Sequence, residues 1–422
     1  MLVSQLVFVA LLVGTEAFFT ALAALNLRHA ERTVSEEREW LRDRLGVEEP
    51  QELLDYNRLG TALGQLQTWV TLLVVLLVLY SGVYADAVAA LEATGWPLVV
   101  RGAVFVLGAA IALQTIALPF DVVDTFVVES QFGFNQQTLT LWLRDLVVSL
   151  VVLVALGGVL AAALFAAIDA IGGLWWVAAW LLFVAFALVM QVLYPRVIAP
   201  LFNDFEPIEG GDLADAVSDV FDRAGFTCSQ LYEMDASRRS SHSNAYFTGF
   251  GATKRVVLFD TLIEQLSVPS LQAVLAHELA HYKRGHVWKQ LAAGTVQIGV
   301  LLFGAALLVE ATWLYDMFGI AGEPIYAGLG VAALLLEPVA RLSAPLSNRL
   351  SLAHEREADA FAVEVIEADA MVEALCDLTG ENLSNPFPHP LYATFHYDHP
   401  PIPDRIKHIR ETAGKSEQTA QV

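Results

Sequence analysis

Ala276-His277-Glu278-Leu279-Ala280-His281 lies inside the run from Ser267 to His286 and reads as H-E-x-x-H on a helix. At 3.6 residues per turn, His277 and His281 fall on one face, one turn apart, where both imidazoles can reach a single metal ion. Two neutral imidazoles suit Zn²⁺, and Glu278, beside the first of them, can take a proton from a water that the metal activates. So short a pattern also occurs by chance on surface helices, and its surroundings must carry part of the argument. Leu271, Val274 and Leu275 precede the motif at helical spacing, and Tyr282-Lys283-Arg284-Gly285-His286 follows, polar and then broken by glycine. His286 falls off the ligand face by pitch. A hydrolytic zinc site needs a third protein ligand and an open position, so the rest of the chain must supply that ligand.

The 422 residues are 56% hydrophobic, and mean hydropathy is +0.53, too apolar for an ordinary soluble domain. Runs at 2–25, 65–85, 98–118, 146–168, 174–194, 290–312 and 325–345 carry almost no charge. They predict an α-helical, polytopic membrane protein with seven spans. No basic segment precedes Leu2, so the first run is expected to be an uncleaved spanning helix. Asp plus Glu number 46 against 24 Lys plus Arg, a net charge of −22, which disfavours nucleic acid as a partner. Such an acidic surface fits a salt-rich cytoplasm, where screening weakens like-charge repulsion. The expected setting is the plasma membrane of a prokaryote, a halophilic archaeon being one source that fits. The two cysteines, Cys228 and Cys376, form no C-x-x-C pair and read as small buried hydrophobes.

Basic residues orient the spans. The loops at 81–97, 169–173 and 313–324 contain no Lys or Arg, whereas the intervening segments are basic; Arg101, near the start of the third span, is the exception. The N-terminus is therefore expected outside, with 28–60, 119–145, 195–289 and 346–422 in the cytoplasm. The chain divides accordingly into an N-terminal transmembrane region (1–194), a cytoplasmic segment that bears H-E-x-x-H (195–289), the last two spans (290–345) and a C-terminal cytoplasmic segment (346–422). Glu16, Gln65, Gln67, Gln114, Gln191, Gln297 and Glu337 lie within spans, where polar groups either bond between helices or face a wet cavity.

Within 195–289, residues 211–225 read as an amphipathic helix. Ala245–Phe250 and Arg255–Phe259 are β-rich runs joined by Gly251-Ala252-Thr253-Lys254, a hairpin just before the metal helix. An exposed strand there can pair with an extended peptide. Beyond the seventh span, Ser351 to Ala362 reads as a helix on which Glu355 and Asp359 share a face while Glu357 points elsewhere. A carboxylate ligand with an acid one turn on suits zinc, because the second acid can accept the free N–H of a ligating imidazole. Spacing favours the Glu355/Asp359 pair as source of the third ligand over Glu357, His354 and Glu337. The tail holds His396-Tyr397-Asp398-His399-Pro400-Pro401 and then Arg405. Histidines beside a zinc helix can donate to a tetrahedral oxyanion.

Taken together, these stretches resemble the CAAX prenyl protease type 1 family, membrane zinc metalloproteases of peptidase family M48. The likeness runs through Glu129-Ser-Gln-Phe-Gly-Phe-Asn-Gln-Gln-Thr138, Tyr194–Asn203, Ser240–Gly249 and Lys254–Thr261. The H-E-x-x-H helix, the E-x-x-x-D helix and His396–Pro401 complete it. The resemblance implies seven helices around a water-filled intramembrane chamber, with one zinc per chain held by His277, His281 and Glu355. It implies Glu278 as general base and Asp359 supporting a ligand from behind. Asn244, Ala245 and Tyr246 match the strand that holds substrate, and His396 and Arg405 match residues lining the catalytic centre. The implied substrates are peptides or proteins, prenylated in that family, met at the lipid bilayer. One departure is Leu352, where the family usually has Arg.

Three competing readings remain on the sequence. One is a quality-control protease for membrane proteins without prenyl specificity. A second is an intramembrane protease of the site-2 type, which would bury H-E-x-x-H in an apolar span, whereas Lys283 and Arg284 abut it here. The third is a transporter with structural zinc. Orientation is directly testable: reporters fused after residues 90 and 318 are expected outside, and those after 210 and 415 in the cytoplasm. Opposite sidedness of 210 and 415 would separate the H-E-x-x-H helix from its third ligand.

Overall fold

The computed structural model describes residues 2–227, 230–249 and 254–420, with side chains as far as 415. Cys228 and the hairpin-turn residues 250–253 lie outside the described residues. Cys376 is buried, as expected of a small hydrophobe.

Six helical segments are long and apolar enough to cross a bilayer: Leu2–Glu36, Pro50–Tyr80, Leu98–Glu129, Leu139–Phe202, His286–Val309 and Ile325–Leu342. The fourth holds two of the expected spans. Its 64 residues would measure about 96 Å as one straight helix, roughly three bilayer cores. It folds instead at Gly172, whose φ of 62° suits a residue without Cβ, and Gly158–Ile171 packs back against Trp175–Leu193. That hairpin turns six segments into seven crossings.

The crossings form a closed ring. Leu98–Val123 packs on Gly158–Ile171, which packs on Trp175–Leu193, then His286–Val309, Ile325–Leu342, Leu2–Glu36, Pro50–Tyr80 and back to Leu98–Val123. Small residues let neighbours approach: a Cβ on Gly102 would fall 2.3 Å from the Phe165 ring. Between helices, Thr20 donates to Gln65 at 2.6 Å, and Gln297 donates to Ser343 at 2.9 Å. Arg341 binds Glu16 and, at 3.2 Å, Glu337. Those four residues of the intramembrane polar set thus bond to neighbours, while Gln114 lines a cavity of about 500 Å³ with Asp121, Asp124, Asp145 and Ser149.

The ring is hollow. Although every helix touches two neighbours, at most 6% of the apolar windows of Pro50–Tyr80, Leu98–Glu129 and Leu139–Phe202 is buried. A solid bundle would bury their inner faces. Packed cores occur at the two ends instead. At the end carrying the loops without Lys or Arg, Phe8, Leu79, Phe165, Trp175, Tyr315 and Tyr326 close the ring. There Arg101, the exception to the charge pattern, pairs with Glu92, which also accepts from the Tyr326 hydroxyl at 2.7 Å.

At the other end sits a region with a small sheet, packed on the extension of the first helix through Ala30 and Val34. Its sheet has strands β1 (Phe205–Pro207), β2 (Leu231–Met234), β3 (Ala245–Thr248) and β4 (Arg255–Phe259) in the order β1-β2-β4-β3. β2 and β4 run parallel and the other pairs antiparallel. The expected hairpin is β3–β4, and it leaves β3 at an edge. The expected amphipathic helix is Asp212–Arg223, burying Ala216, Val217, Val220 and Phe221.

Two glycines test this packing. A Cβ at Gly380 would lie 2.1 Å from the Leu45 carbonyl oxygen, whereas nothing approaches one at Gly60. Gly380→Ala is expected to cost about 1–3 kcal/mol in thermal unfolding of the detergent-solubilised protein. Gly60→Ala is expected to be neutral or slightly stabilising.

Candidate active site

The H-E-x-x-H motif sits on the helix Val268–Lys283, which begins where Ser267 Oγ accepts from the Ser270 N–H at 3.3 Å and ends before Gly285, at φ 67°. The third-ligand candidate sits on Ala344–Val365, packed directly against it. Three donor atoms converge between them. His277 Nε2 lies 3.2 Å from His281 Nε2, His281 Nε2 lies 3.2 Å from Glu355 Oε1, and His277 Nε2 lies 3.3 Å from Glu355 Oε2. One ligand atom from each residue can be chosen so that all lie within 4.8 Å of one another. Separations of this size match the edge of a tetrahedron with bonds of roughly 2.0–2.1 Å, the zinc–nitrogen distance. Glu355 Oε2 is buried without a hydrogen bond, though the His277 imidazole lies 3.3 Å away. A cation held by two imidazoles and this carboxylate answers that orphaned oxygen, so the residues fit a metal ion.

The surroundings orient both imidazoles. His277 Nδ1 donates to Asp359 Oδ1 at 3.0 Å, which turns Nε2 towards His281 and Glu355, where a cation would displace its proton. Arg405 grips the same carboxylate through Nε to Oδ2 at 3.0 Å and Nη2 to Oδ1 at 2.6 Å. Asp359 and Arg405 are both buried, so each charge depends on the other. On the other ligand, His281 Nδ1 lies 3.2 Å from His286 Nδ1, and His286 Nε2 lies 3.1 Å from Glu357 Oε2. His286 and Glu357, off the ligand face by pitch, thus stand behind His281. Burial alone would push the His277 imidazole down, yet its bond to Asp359 and the nearby Glu355 carboxylate outweigh this and raise it to about 9. Burial would likewise raise the Glu355 carboxyl, but the two imidazoles hold it well below the usual carboxylate range.

Glu278 is half-buried beside this cluster and makes no hydrogen bond or ion pair among the described residues. Ala245 and Tyr246 lie on β3, with Asn244 immediately before it, and β3 packs along the motif helix. The Asn244 carbonyl accepts from the Phe259 N–H at 3.1 Å. By strand alternation, the backbone groups of Ala245 and Phe247 therefore face the open edge.

His396 is the residue that the structure does not bring in. It ends the short helix Pro390–His396, and helical pitch folds it back on Tyr392, ring over ring at 4.0 Å, with Nδ1 bonded to the Tyr392 carbonyl at 3.1 Å. His399 stands at the site instead, its Nε2 3.4 Å from Glu355 Oε1 and its Nδ1 2.8 Å from Asp398 Oδ1. The bond to Asp398 raises the His399 imidazole against its burial. The sequence carried a usable signal: among the tail histidines, His399 alone follows an acid directly and precedes Pro400-Pro401.

A membrane-embedded metalloprotease is the class that this ring and this site define. Residues 26–204 match the model of the CAAX prenyl protease N-terminal region with five membrane helices, and residues 207–413 match peptidase family M48. The CAAX prenyl protease 1 homolog of rice (Oryza sativa subsp. japonica) is 36% identical over 314 residues, 74% of each chain. That of Dictyostelium discoideum is 32% identical over 397 residues, 91% of this chain and 92% of the relative. The crystal structure of S. mikatae Ste24p superposes with a TM-score of 0.86 at 25% identity, covering 96% of this chain and 98% of that one. The chain belongs to peptidase family M48, among the membrane-spanning proteases that resemble CAAX prenyl proteases.

Metal loading should be coupled to a proton. With His277 near 9, the metal-free site is protonated at neutral pH, and a cation must displace that proton. Protons compete below pH 9, so apparent zinc affinity should rise by about tenfold per pH unit towards 9 and then level. Chelator competition at several pH values measures this, and an affinity independent of pH between 6 and 8 would contradict it.

Proposed function

We propose that the chain is a zinc metalloendopeptidase with its active site on the cytoplasmic face of a hollow membrane ring. The observation that carries this reading is the convergence of His277, His281 and Glu355 beside an unengaged Glu278 and the open edge of β3. Residues 195–289 form the metalloprotease segment and 346–422 contribute the third ligand, with 1–194 and 290–345 supplying the ring. The cytoplasmic orientation rests on the distribution of basic residues. A prokaryotic plasma membrane draws no support from the relatives above, all eukaryotic.

His277, His281 and Glu355 would hold one Zn²⁺, which when bound polarises a scissile carbonyl and acidifies water. A peptide adds to the free edge of β3 through the Ala245 carbonyl and the backbone groups of Phe247, which lays it along the motif helix; the Ala245 N–H is held by Asn244 Oδ1 at 2.8 Å. Glu278, with no competing partner, accepts the proton of the attacking water and returns it to the leaving amine. His399, held by Asp398, donates to the oxyanion that develops on the carbonyl. Arg405 keeps Asp359 charged, and Asp359 keeps His277 in the tautomer that presents Nε2. The substrates are proteins or peptides with extended C-terminal segments. The names of the relatives point to prenylated CAAX proteins, and the hollow ring beside the site offers such chains an approach.

Glu278→Gln separates chemistry from binding. The change is nearly isosteric and touches neither imidazole, so zinc content should stay near one per chain. Directly measured peptide affinity should change less than about threefold, because backbone pairing on β3 does not involve this side chain. Turnover should fall by about 10²-fold or more. A variant that binds zinc and peptide and cleaves within about tenfold of the parent would exclude this mechanism and favour structural zinc.

A further inference from the structure

Two sequence runs, Glu129–Thr138 and Ser240–Gly249, mark the family resemblance, yet Glu129–Thr138 and the first residues of the second take no part in the mechanism above. The fold brings them together. The Ser241 N–H donates to the Phe134 carbonyl at 3.1 Å, and the Gln136 N–H donates to the Arg239 carbonyl at 3.1 Å. Asn135 and Ser240 form an antiparallel bridge between those bonds. The connector that follows the third crossing is thereby stitched to the stretch of chain leading into β3.

His242 is the centre of the seam. Its ring stacks on Phe134, with centroids 4.5 Å apart and planes at 25°. Its Nε2 lies 3.3 Å from Glu129 Oε2, and its Nδ1 lies 2.7 Å from Asn382 Oδ1. Asn382 is itself oriented, because its Nδ2 donates to the Leu378 carbonyl at 2.8 Å. The other Glu129 oxygen accepts from the Tyr56 hydroxyl at 2.8 Å. His242 therefore joins the second and third crossings of the ring to the cytoplasmic helix Ala368–Glu381, and only Ser243 and Asn244 separate it from β3.

We propose that His242, clamped by Glu129 and Phe134, is a positioning residue: it sets where the edge of β3 lies relative to the metal-ligand cluster, and so which peptide bond reaches Glu278. The inference rests on the reading of β3 as the substrate strand. Through this clamp the membrane ring, rather than the catalytic helices, determines the register of cleavage.

The test uses the full chain, zinc-loaded in detergent, with His242→Ala and Glu129→Gln. The second variant keeps volume and an acceptor for Tyr56, so it carries the test if the first does not fold. Amide exchange over Ser243–Phe247 should accelerate at least about tenfold in either variant, while exchange in the motif helix and zinc content stay unchanged. With an internally quenched peptide that the parent cleaves, KM should rise about tenfold with kcat within about twofold, and product masses should reveal cleavage at a neighbouring bond. His242→Gln, which retains one hydrogen bond, should recover part of the loss. Unchanged exchange in β3, or a loss confined to kcat, would overturn the proposal. The exchange readout needs no turnover, so a parent that cleaves no peptide would sink the peptidase reading and leave this result standing.

Discussion

A carboxylate buried between two imidazoles is the constraint on which the rest of this structure depends. Glu355 is only 4% exposed, and removing its charge from water is costly unless something nearby restores the balance. Asp359 is more deeply buried still, but Arg405 neutralises it with two hydrogen bonds. What remains is a Glu355 carboxylate faced by two imidazoles, with one oxygen that lacks a hydrogen bond. Such a pocket has the donor set and spacing that could hold a small cation. Building it requires two helices separated in sequence by two membrane crossings to return to the same point. The closed ring supplies that return.

Much of this was legible in the residues because local periodicity carried it. The i, i+4 spacing of His277 and His281, and of Glu355 and Asp359, places each pair on one helix face whatever the tertiary fold. Apolar length and missing Lys or Arg likewise mark the crossings, and the structure adds Gly172 as the fold that splits one 64-residue run into two of them. Other features were opaque because they rest on contacts distant in sequence. β1 and β2 are three and four residues long, too short for an alternation signal, and their pairing is what makes β3 an edge. The choice between His396 and His399 depended on where a short helix ends. Pitch ties His396 back to Tyr392, while His399, just beyond, is free to turn towards Glu355.

The hollow ring has a mechanical consequence. A packed bundle is held by a shared core, so the loss of one contact is spread over many neighbours. Here the helices lean mainly on the two beside them, as staves do in a cask, and the two end clusters act as hoops, one of them also bringing Leu98–Val123 against Ile325–Leu342. Inner faces that touch no other side chain are released from the close-packing requirement that restricts most protein interiors. Substitutions there should accumulate freely in evolution, changing what the lumen tolerates while the staves and hoops remain unaltered.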